Sequence, residues 1–135
     1  MKIKTQFVSD FVYEATNENG NTISIDMRDA EEKASQGPME MVLSAVSGCA
    51  AVDIILMLRK KRKTIIDFIV ESEAKRRDEP PRSFTSIFSK YILISPDTEY
   101  EELDKVAKLT LDKYCSVASS LNTKVEYAIE IRKSK

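Results

Sequence analysis

Apolar and polar positions change rhythm several times along this chain, and each change marks an element. Residues 3–16 alternate loosely, with Ile3, Phe7, Val8, Phe11, Val12 and Tyr13 apolar. After Asn17-Glu18-Asn19-Gly20-Asn21 the alternation resumes through Ile23 and Ile25. A period of two marks a strand and Asn-Gly a tight hairpin, so residues 1–36 are expected to form a β-hairpin or meander ending in the polar loop 28–36. From Met39 to Leu58 the alternation stops. The run is almost wholly apolar, interrupted by Glu40, Ser44, Ser47, Gly48 and Asp53. Pro38 suits a first helical position, where its missing N–H would be unpaired anyway. Glu40 complements the positive end of the helix dipole, and Arg59 to Lys63 the negative end. These signs predict a central helix within 37–63, apolar all round and therefore buried on every side.

Beyond it, Thr64 to Glu73 places Ile66, Phe68 and Val70 on one face of a strand and Asp67 and Glu71 on the other. Residues 74–82, with Pro80-Pro81, read as a solvated connection, and 83–94, rich in aromatic and β-branched residues, as the next strand. Asp97 or Thr98 is positioned to cap an amphipathic helix that carries Tyr100, Leu103, Val106, Ala107, Thr110, Leu111 and Tyr114 at helical spacing. Cys115 falls at its end, Asn122 breaks it, and Val125, Tyr127, Ile129 and Ile131 alternate through a last strand. Paired strands with helices between them predict an α+β fold with a mostly antiparallel sheet. The expected organisation is one domain over 1–135: an N-terminal β segment and loop (1–36), the central helix (37–63) and a β-β-α-β portion (64–135). A chain of 135 residues has too little material to cover so apolar a helix completely, which points to a homodimer.

Composition narrows the chemistry. With 42% hydrophobic residues, 32% charged residues and a net charge of −1, the chain reads as a soluble globular protein without a nucleic-acid partner. The cations from Arg59 to Lys63 read as a solvated helix end. MKIKTQFVSDFVYEA lacks the apolar core of a signal peptide, so a cytoplasmic location is expected. Asp53, Ser44 and Ser47 argue against a membrane span. There is no histidine, which removes His-based nucleophilic catalysis and most zinc sites; no cofactor and no metal are expected. What remains is Cys49, mid-helix with Asp53 one turn further on the same face, and the distant Cys115. Residue by residue they are either inert core groups or a reactive pair.

Three segments resemble the OsmC/Ohr superfamily: Gly37-Pro38-Met39-Glu40-Met41-Val42-Leu43-Ser44-Ala45-Val46-Ser47-Gly48-Cys49-Ala50-Ala51-Val52-Asp53, then Pro81-Arg82-Ser83-Phe84-Thr85-Ser86-Ile87, then Lys113-Tyr114-Cys115-Ser116-Val117. The resemblance runs from about Gly37 to the C-terminus and is nearest the YhfA-like branch. It implies an intertwined homodimer with two long core helices between sheets, and thiol-dependent reduction of organic hydroperoxides. It further implies that Cys49 is the peroxidatic thiolate and Cys115 the resolving thiol, regenerated by a dithiol reductant. The family's activating glutamate directly follows the proline, where this chain has Met39; the nearest carboxylate is Glu40, and Arg28 is the only arginine ahead of the helix. Glu40, Asp53 and Arg28 are therefore the supporting candidates. The second reading is a non-catalytic dimer of the same fold that binds a small hydrophobic ligand or senses redox state.

Overall fold

The computed structural model describes all 135 residues, which divide into two compact units, Met1–Val42 and Leu43–Lys135. In the first, β1 (Ile3–Ser9), β2 (Val12–Asn17) and β3 (Thr22–Asp26) form an antiparallel meander in that order. The loosely alternating segment 3–16 is thus two strands, separated by a tight turn at Asp10-Phe11 that no glycine or proline announces. The Asn-Gly turn forms as expected, with Gly20 at φ 87°, a left-handed conformation in which glycine carries no steric penalty. Asn17 closes this turn by accepting the backbone N–H groups of Asn19 and Asn21 on its side-chain oxygen.

The helix α1 (Pro38–Lys60) starts at the proline as predicted. Glu40 reaches back to accept the Gly37 N–H at 3.1 Å, one half of a capping box. At the other end Arg62 takes φ 61°, and the N–H groups of Arg62 and Lys63 return to the carbonyls of Arg59 and Leu58. That is a Schellman closure, with arginine in the place usually given to glycine.

In the second unit, β4 (Asp67–Arg76) pairs antiparallel with β5 (Phe84–Ile94), and β5 pairs parallel with β6 (Val125–Arg132). The parallel pair requires a long crossover, which α2 (Tyr100–Leu109) and the turns after it supply. Val46, Ala50, Ile54 and Leu58 of α1 are completely buried. Ala50, Ile54 and Leu58 join Tyr91 and Leu93 of β5 and Leu103, Val106 and Ala107 of α2 in one core. By length and composition alone α1 is long and apolar enough to cross a membrane, while its buried stripe packs against β5 and α2.

Three expectations shift. The strand placed at 64–73 begins at Asp67 and runs on to Arg76, so Ile66 precedes it and is exposed. Helix α2 is capped at Glu99, whose N–H is accepted by Glu102 at 3.0 Å. Asp97 instead accepts the Thr64 N–H and hydroxyl, tying the end of the α1–β4 link to the loop after β5. The second helix is broken at Cys115, well before Asn122. The shortage of surrounding chain shows in α1, which is covered on one side only in the single chain: Ala45, Gly48, Val52 and Leu56 form an exposed stripe, with Val52 59% and Leu56 55% accessible. At about 100° per residue that stripe lies opposite the buried one.

Candidate functional site

Cys49 is carried by α1 between its two stripes, next to the exposed one, and is half-buried. Cys115 reaches the same place by a different device. After Leu109 the chain widens into a π-helical turn, α3 (Thr110–Tyr114), closed by the Cys115 N–H on the Thr110 carbonyl at 2.8 Å. Such turns insert an extra residue into a helical path and concentrate at functional sites. Cys115 then turns extended, at φ −73° and ψ 101°, before the short helix α4 (Ser116–Ser119). Its side chain is thereby directed into the core and is 2% exposed.

Both thiols are free, and both pack in the cluster formed by α1, α2 and the second sheet. The Cys115 sulfur accepts the Ala118 N–H at 3.4 Å, and Cys49 packs against the cluster that encloses it. Burial pushes the Cys115 thiol above its ordinary value; the neighbouring Cys49 adds to that rise, and the Ala118 N–H works against it.

Two of the supporting candidates, Arg28 and Glu40, hold ion pairs within the first unit. The Arg28 guanidinium donates to Asp26 through Nε at 3.1 Å and Nη2 at 2.8 Å. Asp26 is itself buried and also accepts the backbone N–H groups of Arg28 and Ala34, so its carboxyl is held well below the usual carboxylate range. Glu40 receives the Lys33 ammonium at 2.6 Å, which lowers its carboxyl too. Asp53 is half-buried, one turn after Cys49.

Other side chains around the thiols gave no motif. Ser47, Ser72 and Ser89 form a hydroxyl chain with both links at 2.7 Å, and Tyr91 lies two residues beyond Ser89 on the same face of β5. A signal existed: Ser72 and Ser89 occupy inward positions of otherwise apolar alternation, directly opposite each other across β4 and β5. A shallow depression on the second sheet, lined by Glu71, Ser72, Glu73, Phe88 and Lys90, includes neither thiol. No group of three or more carboxylate or thiol side chains is arranged to hold a metal ion.

Residues 30–130 match the family described as OsmC-like protein. Protein YhfA of Escherichia coli strain K12 is 33% identical over 125 residues, covering 93% of this chain and 92% of that protein. The fold is shared with the OsmC-like protein of Mycoplasma pneumoniae (TM-score 0.84, 18% identity, 97% of this chain and 96% of that one). It is shared more distantly with the organic hydroperoxide resistance protein OhrB of Bacillus subtilis (TM-score 0.63, 13% identity, 98% of each chain). With three quarters of its length matched and 33% identity to YhfA over 93% of the chain, this chain belongs to the OsmC-like family.

Proposed function

We propose that the protein is a thiol-dependent reductase of organic hydroperoxides, acting as a homodimer. The observation that carries this reading is the meeting of two free thiols from distant parts of the chain in one core, one half-open and the other enclosed. The Cys49 thiolate attacks the peroxide O–O bond; a sulfur–oxygen bond forms, the alkoxide leaves and takes a proton to become the alcohol, and Cys49 becomes a sulfenic acid. Cys115, as thiolate, then attacks that sulfur. The disulfide forms, and hydroxide departs and is protonated to water. A dithiol reductant returns both cysteines to thiols by exchange. The exposed stripe of α1 supports the dimer, because it flanks Cys49 and a second copy of the same stripe would cover it.

The test is consumption of cumene hydroperoxide with dithiothreitol as donor, for the wild type and Cys49→Ser. Loss of turnover in the variant is expected, and equal rates in the two proteins refute the reading. A second reading is favoured by the engagement of Arg28 with Asp26 and of Glu40 with Lys33. In it the same dimer binds a small hydrophobic ligand, or senses redox state, without turnover. It requires an unreactive Cys49 at neutral pH, so fast alkylation by iodoacetamide in the native protein counts against it.

A further inference from the structure

The connection between β4 and β5 gathers three arginines at one tip. Arg76 donates through Nε to the Arg82 carbonyl at 2.9 Å, Arg82 through Nε to the Arg77 carbonyl at 3.0 Å, and Arg77 through Nη1 to the Pro81 carbonyl at 3.2 Å. Every acceptor belongs to residues 77–82, and the Pro81 and Arg82 carbonyls stand on successive peptide groups. The tip's backbone is itself held, by the Arg77 N–H on the Ser83 carbonyl and the Ser83 N–H on the Pro81 carbonyl, both at 2.9 Å. Pro80 and Pro81 fix two of its φ angles. The three guanidiniums are therefore placed by a stiff frame, and less rotamer freedom remains for a ligand to remove.

No carboxylate engages them. Arg28 and Arg132 hold ion pairs with Asp26 and Glu130, but the tip arginines bond only to backbone carbonyls, although Asp78 and Glu79 lie between them in sequence. Each guanidinium uses one N–H group on the frame and keeps a complete two-donor edge: Nη1–Nη2 on Arg76 and Arg82, Nε–Nη2 on Arg77. Such an edge matches two oxygens of a phosphate group, which a lysine ammonium cannot do. All three side chains are exposed. Holding three like charges on one tip costs free energy, and a multiply charged anion offsets it.

The cationic surface is short. Asp78 and Glu79 interrupt it within the tip, Glu73 flanks it on β4, and the chain carries a net charge of −1. A nucleic-acid backbone is tracked by a continuous cationic groove, whereas a compact anion needs only a few converging donors. We propose that this tip is a binding site for the phosphate or diphosphate end of a small soluble compound, held by Arg76, Arg77 and Arg82. The site uses neither thiol, so it stands or falls apart from the reductase reading.

The experiment titrates the whole protein with pyrophosphate at constant ionic strength and follows the arginine side-chain Nε–H signals by NMR. Saturable shifts of Arg76, Arg77 and Arg82 are expected, with Arg59 and Arg62 unmoved. Arg77→Lys keeps the charge and removes the two-donor edge, so it should weaken binding about tenfold with the folded amide spectrum retained. Arg59→Lys should leave binding unchanged. Shifts that grow without saturating, or equally at every arginine, mean general charge screening and overturn the proposal. An Arg77→Lys protein that binds as tightly as the wild type overturns it too. So does tighter binding to a mixed-sequence single-stranded oligonucleotide, or to phosphatidylcholine vesicles carrying phosphatidic acid, than to pyrophosphate.

Discussion

Gly48→Leu separates the single chain from the proposed dimer more sharply than any other change. Gly48 lies in the exposed stripe of α1, and a Cβ built there meets no atom within 4 Å, so a leucine has room in an isolated chain. Leucine is also the better helix former by about 0.7 kcal/mol, so an isolated chain should become more stable by that amount. In a dimer the opposite holds. Val52 and Leu56 are a little over half exposed, and burying a Val or Leu side chain fully is worth about 1.5–3 kcal/mol, so covering the remainder gives about 1–1.5 kcal/mol each. Across a two-fold interface each residue counts twice, for a total of about 4–6 kcal/mol, provided the helices approach closely over Ala45 and Gly48. A leucine at 48 prevents that approach, and its loss weakens association by roughly a thousandfold or more. Sedimentation velocity over a dilution series reads the mass, and urea denaturation reads stability. The expected result is a dimeric wild type and a monomeric Gly48→Leu. A wild type that is monomeric throughout, or a variant that stays dimeric, refutes the argument.

The Asp26 carboxyl is depressed by Arg28 first and the Ala34 N–H next, so its contribution to stability is present above the unfolded-state value of about 3.9 and lost as pH falls through the lower folded value. Asp26→Asn should therefore be weaker than wild type at pH 7, and the difference in urea midpoint should shrink steadily below about pH 4; a constant difference removes the linkage. Ile54 is fully enclosed between α1, the sheet and α2, so Ile54→Ala should cost about 3 kcal/mol with little change in the denaturant slope. A loss under about 1 kcal/mol would mean that the cluster is not the close-packed core described.

Most of the fold was legible because its signals are local. The Asn-Gly turn, the Gly37-Pro38 helix start, the alternation of β6 and the spacing of α2 each depend on neighbouring residues. What failed depended on partners remote in sequence. Asp97 looks like a helix cap until Thr64 takes its carboxylate, and Asn122 looks like a helix end until the π-turn at Thr110 brings Cys115 out of the helical path. The incomplete cover of the central helix was legible too, because 135 residues are too few to enclose a helix apolar all round. Among the site residues, the two cysteines stood out because little else could carry nucleophilic chemistry. Ser72 and Ser89 carry no motif, and only strand register sets them opposite each other.

The burial of Cys115 sets a condition on how the thiol pair would have to work. Enclosure of Cys115 would keep competing water away from the proposed disulfide-forming step, but the same enclosure disfavours its thiolate. A fixed cation would offset this at once. The second unit offers a neutral donor, the Ala118 N–H at 3.4 Å. Hydrogen bonds to a charged group are stronger in a low-dielectric interior than in water, so dryness weakens the thiolate and strengthens its donor together. Dimerisation over the α1 stripe would deepen both effects, and that makes oligomeric state and thiol reactivity one question in this protein.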